Sequence, residues 1–309
     1  MQAQKKRPPR PGVSTPGVKR EVSSITPVAV FDMESGAPDW MVLTDGAVWV
    51  TNGPRNLVHR LDANTNKLAA NITVGKRPCS GLAAGFGSIW VPSCGDKTIS
   101  RVDIHTNAVA ATVPVGPAES EGGIAASDDA IWLVTDPHGK LSRIDPKTNA
   151  VAAMVDVPPG SAGLVYGDGG VWVTTPSTNQ LTRVDAKTNE VETITVGPKP
   201  RFETFGAGSV WTLNQGDGTI SRVDTKTRKL TATIEVGIPG DGGEIAFGSG
   251  HVWATVFQIP MSEIDPATNT VVRQWVGDGG DSIRVGLDAI WLTNLRGHLV
   301  LRIDPKQLK

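Results

Sequence analysis

The feature that most restricts this chain is a tryptophan that returns at near-constant spacing. Trp49, Trp90, Trp132, Trp172, Trp211, Trp253 and Trp291 lie 41, 42, 40, 39, 42 and 38 residues apart. Each is followed 12 or 13 residues later by an aspartate: Asp62, Asp103, Asp145, Asp185, Asp224, Asp265 and Asp304. A seven-fold repeat of this length predicts supersecondary units that bury their apolar faces only against one another. Each unit also reads the same way internally. A first strand ends at a turn such as Gly206-Ala207-Gly208, and a second strand carries the tryptophan. A third carries Arg-x-Asp, a turn of the Asp-Pro-Lys-Thr-Asn type follows, and a fourth strand ends in Val-Gly. Short β-branched runs between Gly, Pro, Asn and Asp turns are hairpin signals. Four such strands in about 40 residues make one propeller blade. The expected fold is therefore all-β: a seven-bladed β-propeller over residues 25–309, with four antiparallel strands per blade.

The ends of the chain say how the ring closes. The seventh unit reaches Lys309 just after its third strand, while Ile25–Phe31 reads as a strand with no unit of its own. Pairing the two completes the last blade and removes an open sheet edge. An open solenoid is the alternative, and it leaves both edges unpaired. Residues 1–24 carry Lys5, Lys6, Arg7, Arg10, Lys19 and Arg20 among prolines, with little apolar content. They read as a disordered basic arm, a linker or processed N-terminus, with an anionic surface as the alternative use.

The totals narrow the class further. A formal net charge of -1 argues against a nucleic-acid binder. No apolar run is long enough for a membrane-spanning helix, and no signal peptide precedes the repeats as the chain stands. A monomer is expected.

What repeats in every unit is scaffold. The tryptophan fills the wedge between sheets, the aspartate accepts from turn amides, and Arg60, Arg101, Arg143, Arg183, Arg222 and Arg302 belong to the same ladder. Candidate site residues are those that break the repeat near the axial mouth, where fourth-to-first and second-to-third strand loops converge. Eight residues before each tryptophan stand Met41, Leu82, Ile124, Leu164, Glu203, Ile245 and Ile283, with Glu203 the sole polar member. One position later Arg284 is the sole charge, and one position earlier Glu244 stands in the column that holds Trp40. Asp39, Arg201 and Asp281 come one residue before that column, with Glu121 and Asp241 just outside. Unpaired burial of such charges is costly, so they need one another, a ligand or a metal. Asp241, Glu244 and Asp281 are the candidate ligands for a hard cation such as Mg or Ca. A plug of salt bridges and waters is the alternative. No organic cofactor motif is present. The loops add Asn214, Arg296, His138 and His298 as candidate ligand contacts, neither histidine having a metal-type partner at short spacing.

Cys79 and Cys94 flank a turn centred near Phe86, so antiparallel pairing sets position 79 opposite 93 or 94. A disulfide is expected, with two packed thiols as the alternative. A disulfide favours an extracytoplasmic location, periplasmic or secreted.

The runs Gly87-Ser88-Ile89-Trp90-Val91, Ser142-Arg143-Ile144-Asp145-Pro146-Lys147-Thr148-Asn149 and Thr193-Ile194-Thr195-Val196-Gly197 resemble the YVTN-type propeller repeat. They also resemble the virginiamycin B lyase (streptogramin lyase) family, over about residues 25–309. That resemblance implies a seven-bladed propeller related to metal-assisted carbon–oxygen lyases that linearise a cyclic depsipeptide. The family motif places histidines eleven residues before the blade tryptophan and a glutamate three after it. Here those columns read Pro38, Cys79, Glu121, Ser161, Pro200, Gly242, Gly280 and Asn52, Ser93, Thr135, Thr175, Asn214, Val256, Asn294. The family's catalytic residues do not carry over, so a related propeller with a different site is expected. The leading reading is a small polar ligand at the charged mouth, with lyase or hydrolase chemistry in which Glu203 or Glu244 is the base and Arg201 or Arg284 stabilises negative charge. A protein-interaction scaffold with exposed Phe257 and Trp275, and a carbohydrate-active carboxylate pair, are the alternatives.

Overall fold

Each blade holds four strands ordered outward from a central axis. In the fifth, Pro200–Gly206, Ser209–Asn214, Thr219–Asp224 and Lys229–Glu235 pair in that order, all antiparallel. The computed structural model describes residues 10–33 and 36–308. Among the described residues seven such sheets close into one ring. The burial gradient along a blade explains the strand compositions. The second strand is packed on both faces, so Ser209–Asn214 is buried at every position. The fourth strand has one wet face, and Lys229–Glu235 is mostly exposed.

The repeated residues do the work expected of them, and more. The seven blade tryptophans are at most 2% exposed. Each donates its indole N–H to the residue five positions earlier, at 2.8–3.3 Å: Thr44, Gly85, Ser127, Gly167, Gly206, Gly248 and Gly286. That bond staples the first strand to the second inside each blade. The repeat arginines lie over the tryptophan rings at 4.7–6.0 Å, a cation–π arrangement. Arg222 then reaches the next blade, donating to Pro266 O at 2.6 Å and Asn269 Oδ1 at 2.8 Å. Blade six departs from the pattern: Glu263 stands at the arginine position and pairs with Arg273 at 2.6 Å. The turn aspartates accept amides two and three residues on, as Asp62 does from Asn64 and Thr65. Those hydrogen bonds hold the carboxyls below the usual carboxylate range.

Blade-to-blade contact is close enough to require glycine. A Cβ on Gly206 would fall 2.0 Å from the Phe247 ring, and one on Gly167 would fall 2.3 Å from Phe205. Tyr166 occupies the same column as those phenylalanines, yet its hydroxyl reaches out to Asp128 of the preceding blade at 2.9 Å.

The ring closes as the strand count required. Ala29–Asp32 pairs antiparallel with Leu299–Ile303 and supplies blade seven's outer strand. The sequence placed this strand slightly early, at Ile25–Phe31. A larger difference concerns the residues before it. Residues 10–24, read as part of a disordered arm, lie on blades five and six. Lys19–Glu21 pairs parallel with Thr270–Val276 as a fifth strand. Gly12 donates to Gly237 O at 2.8 Å, and buried Gln274 accepts from Val13 N at 2.8 Å. Backbone hydrogen bonds carry this order, and hydrophobic patterning does not register them. Residues 1–9 of the expected arm lie outside the described residues. No helix among the described residues is long and apolar enough to cross a membrane.

Candidate functional site

The first strands surround the axis, and the spaces they enclose form three connected levels. At the surface is a mouth of about 430 Å³, lined by Asp39, Glu121, Lys199, Arg201, Asp241, Phe257 and Asp281 among others. Beneath it is a neck of about 10 Å³, bounded by Asp39, Trp40, Glu121, Glu244, Asp281 and Ser282. Below that, a channel of about 230 Å³ contains Glu203, Glu244 and Arg284 in an otherwise mostly apolar wall. Asp39, Glu121 and Asp281 line both mouth and neck, while Trp40 and Glu244 line both neck and channel. The residues that break the repeat thus meet on one axis, although they come from five of the blades.

Their electrostatics differ level by level. In the channel, Glu244 is 4% exposed. Its Oε1 pairs with Arg284 Nη2 at 2.5 Å, and its Oε2 accepts from Ser282 Oγ and from Ile283 N at 3.1 Å. This carboxylate is fully engaged and poorly suited to act as a base. Glu203 is the opposite case. Its Oε2 is buried without a hydrogen-bond partner. Burial pushes its carboxyl up to about 8, against the pull of the Thr174 hydroxyl and Arg201, so it is an uncharged acid near neutrality. Its seat depends on Gly163, whose added Cβ would sit 2.6 Å from Glu203 Oε2.

In the neck, Asp39 and Asp281 are hydrogen-bonded to each other and both are raised, chiefly by burial. Asp281 is pushed up to about 7, and Asp39 well above its ordinary value. Two carboxyls in such contact share a proton. Glu121 is raised by burial too. It sits in the left-handed backbone region (φ 66°) and donates its amide to Cys79 O at 2.8 Å. Cys79 forms the disulfide with Cys94, with Cα atoms 5.9 Å apart. The bridge therefore fixes the loop that carries one wall of the neck.

The remaining expected contacts divide. Arg201 lines the mouth but is committed to Glu119 Oε1 at 2.8 Å and Ser120 O at 3.1 Å. Arg296 lies 4.7 Å from the Phe257 ring centre at the rim and acts electrostatically on Asp281. Asp241 lines the mouth, and its backbone oxygen accepts from Arg10 at 2.5 Å. Asn214 does not reach the axis. It is fully buried inside blade five, donating to Thr219 and Ser221 at 2.9 Å. His138 is exposed and bonded to Asp136 at 2.9 Å, and His298 contacts Gly36 O; neither lines the cavities. Trp275, considered for an exposed partner face, is 1% exposed, on the blade-six strand that Lys19–Glu21 covers. Sequence reasoning missed Glu119, which lies one residue beyond the compared columns, and Ser282 and Phe202, whose types suit any strand.

A metal does not fit the expected ligands. Among the described residues no group of three or more His, Cys, Asp or Glu side chains is arranged to hold an ion. Glu244 is saturated by Arg284, Ser282 and Ile283, so Asp241, Glu244 and Asp281 do not act as one donor set.

The architecture is that of virginiamycin B lyase. A streptogramin B lyase structure superposes with a TM-score of 0.74 at 18% identity, covering 89% of this chain and 97% of that one. Virginiamycin B lyase from Staphylococcus aureus gives 0.75 at 14% identity, covering 89% and 98%. Its catalytically inactive variant with quinupristin gives 0.73 at 15%, with the same coverage. No family model matches the chain, and no curated protein matches it. At these identities the likeness extends to the fold, and function rests on the chain's own site.

Proposed function

We propose that the mouth, neck and channel bind one small polar ligand, and that Glu203 transfers a proton to it in a lyase or hydrolase step. The observation that carries this reading is the buried, unpartnered Oε2 of Glu203 on the channel wall. A carboxyl kept uncharged near neutral pH is suited to protonate an oxygen as its bond to carbon breaks, and the carboxylate left behind takes back the proton given up by the neighbouring carbon (lyase) or by the water that adds to the carbon (hydrolase). Glu244 and Arg284 neutralise each other and set a fixed dipole beside it. No step is assigned to a metal. The Cys79–Cys94 bridge supports an extracytoplasmic location.

The test uses the nine tryptophans as reporters. A library of small polar compounds is screened by NMR on the indole N–H resonances. Binders should move Trp40, which faces neck and channel, and lose about tenfold or more in affinity in Glu203→Leu. Binders that move only the blade tryptophans, or that are indifferent to Glu203→Leu, would refute the proposal.

A further inference from the structure

The neck has properties of its own. Asp39, Glu121, Glu244 and Asp281 surround a space of about 10 Å³, room for one water-sized group. The cations nearby are committed: Arg284 to Glu244, Arg201 to Glu119, and Arg296 stacks on Phe257 at the rim. Lys199 and Asp241 face the outer mouth. Two hydrogen-bonding groups remain unanswered. Asp281 Oδ2 is a buried acceptor without a donor. Trp40 is 6% exposed, and its indole N–H has no acceptor, whereas the seven blade tryptophans all donate within their own blade. The two needs are of opposite kind, and they meet in a site where carboxylates outnumber free cations.

Resting on the reading of the axis as a ligand site, we infer that the neck receives the ammonium group of a small organic amine that carries a hydrogen-bond acceptor next to its nitrogen. The ammonium lies among Asp39, Glu121 and Asp281, replacing the proton that Asp39 and Asp281 share. The neighbouring oxygen accepts from Trp40 Nε1–H. A water meets the hydrogen-bonding needs but not the charge. Mg keeps several waters and near-octahedral geometry, for which a space of this size has no room. Because the cation displaces a bound proton, binding releases that proton and tightens as pH rises through the range in which the pair titrates.

The experiment follows the Trp40 indole resonance during titration with ethanolamine, ethylene glycol and glycolate, matched in size and differing in charge. Ethanolamine should bind about tenfold or more tighter than either, and tighter at about pH 8 than at about pH 6. Asp281→Asn, nearly identical in shape, should remove about tenfold of the ethanolamine affinity and narrow its margin over ethylene glycol. Asp39→Asn is the second variant should the first perturb the indole spectrum. Equal binding of the three probes, insensitivity to both variants, or a silent Trp40 resonance would overturn the amine inference. Tighter binding of Mg at the neck would replace it with a metal site. None of these results depends on Glu203, so the wider ligand reading stands or falls separately on the Glu203→Leu screen.

Discussion

Arg284→Met isolates the best-defined interaction on the axis. Glu244 is 4% exposed, and among the described residues Arg284 supplies its one charged partner, at 2.5 Å. The substitution keeps the aliphatic length and leaves a buried carboxylate with two neutral donors, Ser282 Oγ and Ile283 N. Breaking a buried pair from one side costs about 3–5 kcal/mol. The Arg284 side chain is still 23% exposed, which places the expected loss near the lower end, about 3 kcal/mol. With about 2.1 cal/mol/K of unfolding entropy per residue, the 309-residue chain should melt about 5 °C lower. Scanning calorimetry measures the shift, and Glu244→Gln with the double variant completes a thermodynamic cycle. The coupling should reach about 2 kcal/mol. A melting temperature unchanged in Arg284→Met, or strict additivity in the cycle, would refute the pair as the element that neutralises the channel.

Two further outcomes are expected. Replacing both cysteines by alanine opens a link with a sequence separation of 15 and should cost about 3 kcal/mol in denaturant unfolding; a loss below about 0.5 kcal/mol would contradict this. Stability should fall as pH rises from about 5 to about 8. Glu203 and Asp281 are raised to about 8 and about 7, so the folded state holds protons that the unfolded chain has already released. Each contributes a slope of up to about 1.4 kcal/mol per pH unit, and the profile flattens above the folded values. The turn aspartates, held below their usual range, lose their contribution only below about pH 4 and do not overlap this window. Glu203→Gln should remove its share of the slope. A flat wild-type profile, or an unchanged slope in the variant, would sink the assignment.

The carbohydrate alternative needs a reactive carboxylate pair. Asp39 and Asp281 act on each other through a side-chain hydrogen bond, whereas glycosidase carboxyls stand about 5 Å or more apart. The scaffold alternative loses one of its two aromatic anchors, Trp275, to burial, while Phe257 stays at the mouth.

The sequence by itself determined the blades, their number and the way the ring closes, because those follow from local periodicity. A tryptophan that must fill a wedge, an aspartate that must cap a turn and a missing fourth strand are each visible within one repeat. It also marked Glu203, Glu244 and Arg284, because a charge in an apolar column stands out without coordinates. It did not say what each charge does. Glu244 and Glu203 look alike in the alignment, yet one is saturated by Arg284, Ser282 and Ile283 and the other has a carboxyl oxygen with no partner. The pairing of Asp39 with Asp281 joins residues 242 positions apart in number, at opposite ends of the chain (281 − 39). Asn214 sits in a divergent loop column but is absorbed by its own sheet. Residues 10–24 look disordered until the edge of blade six offers their backbone a partner. These outcomes depend on which groups meet across the ring, and hydrogen bonds and proton sharing act over only a few ångströms. The tertiary structure alone sets those distances.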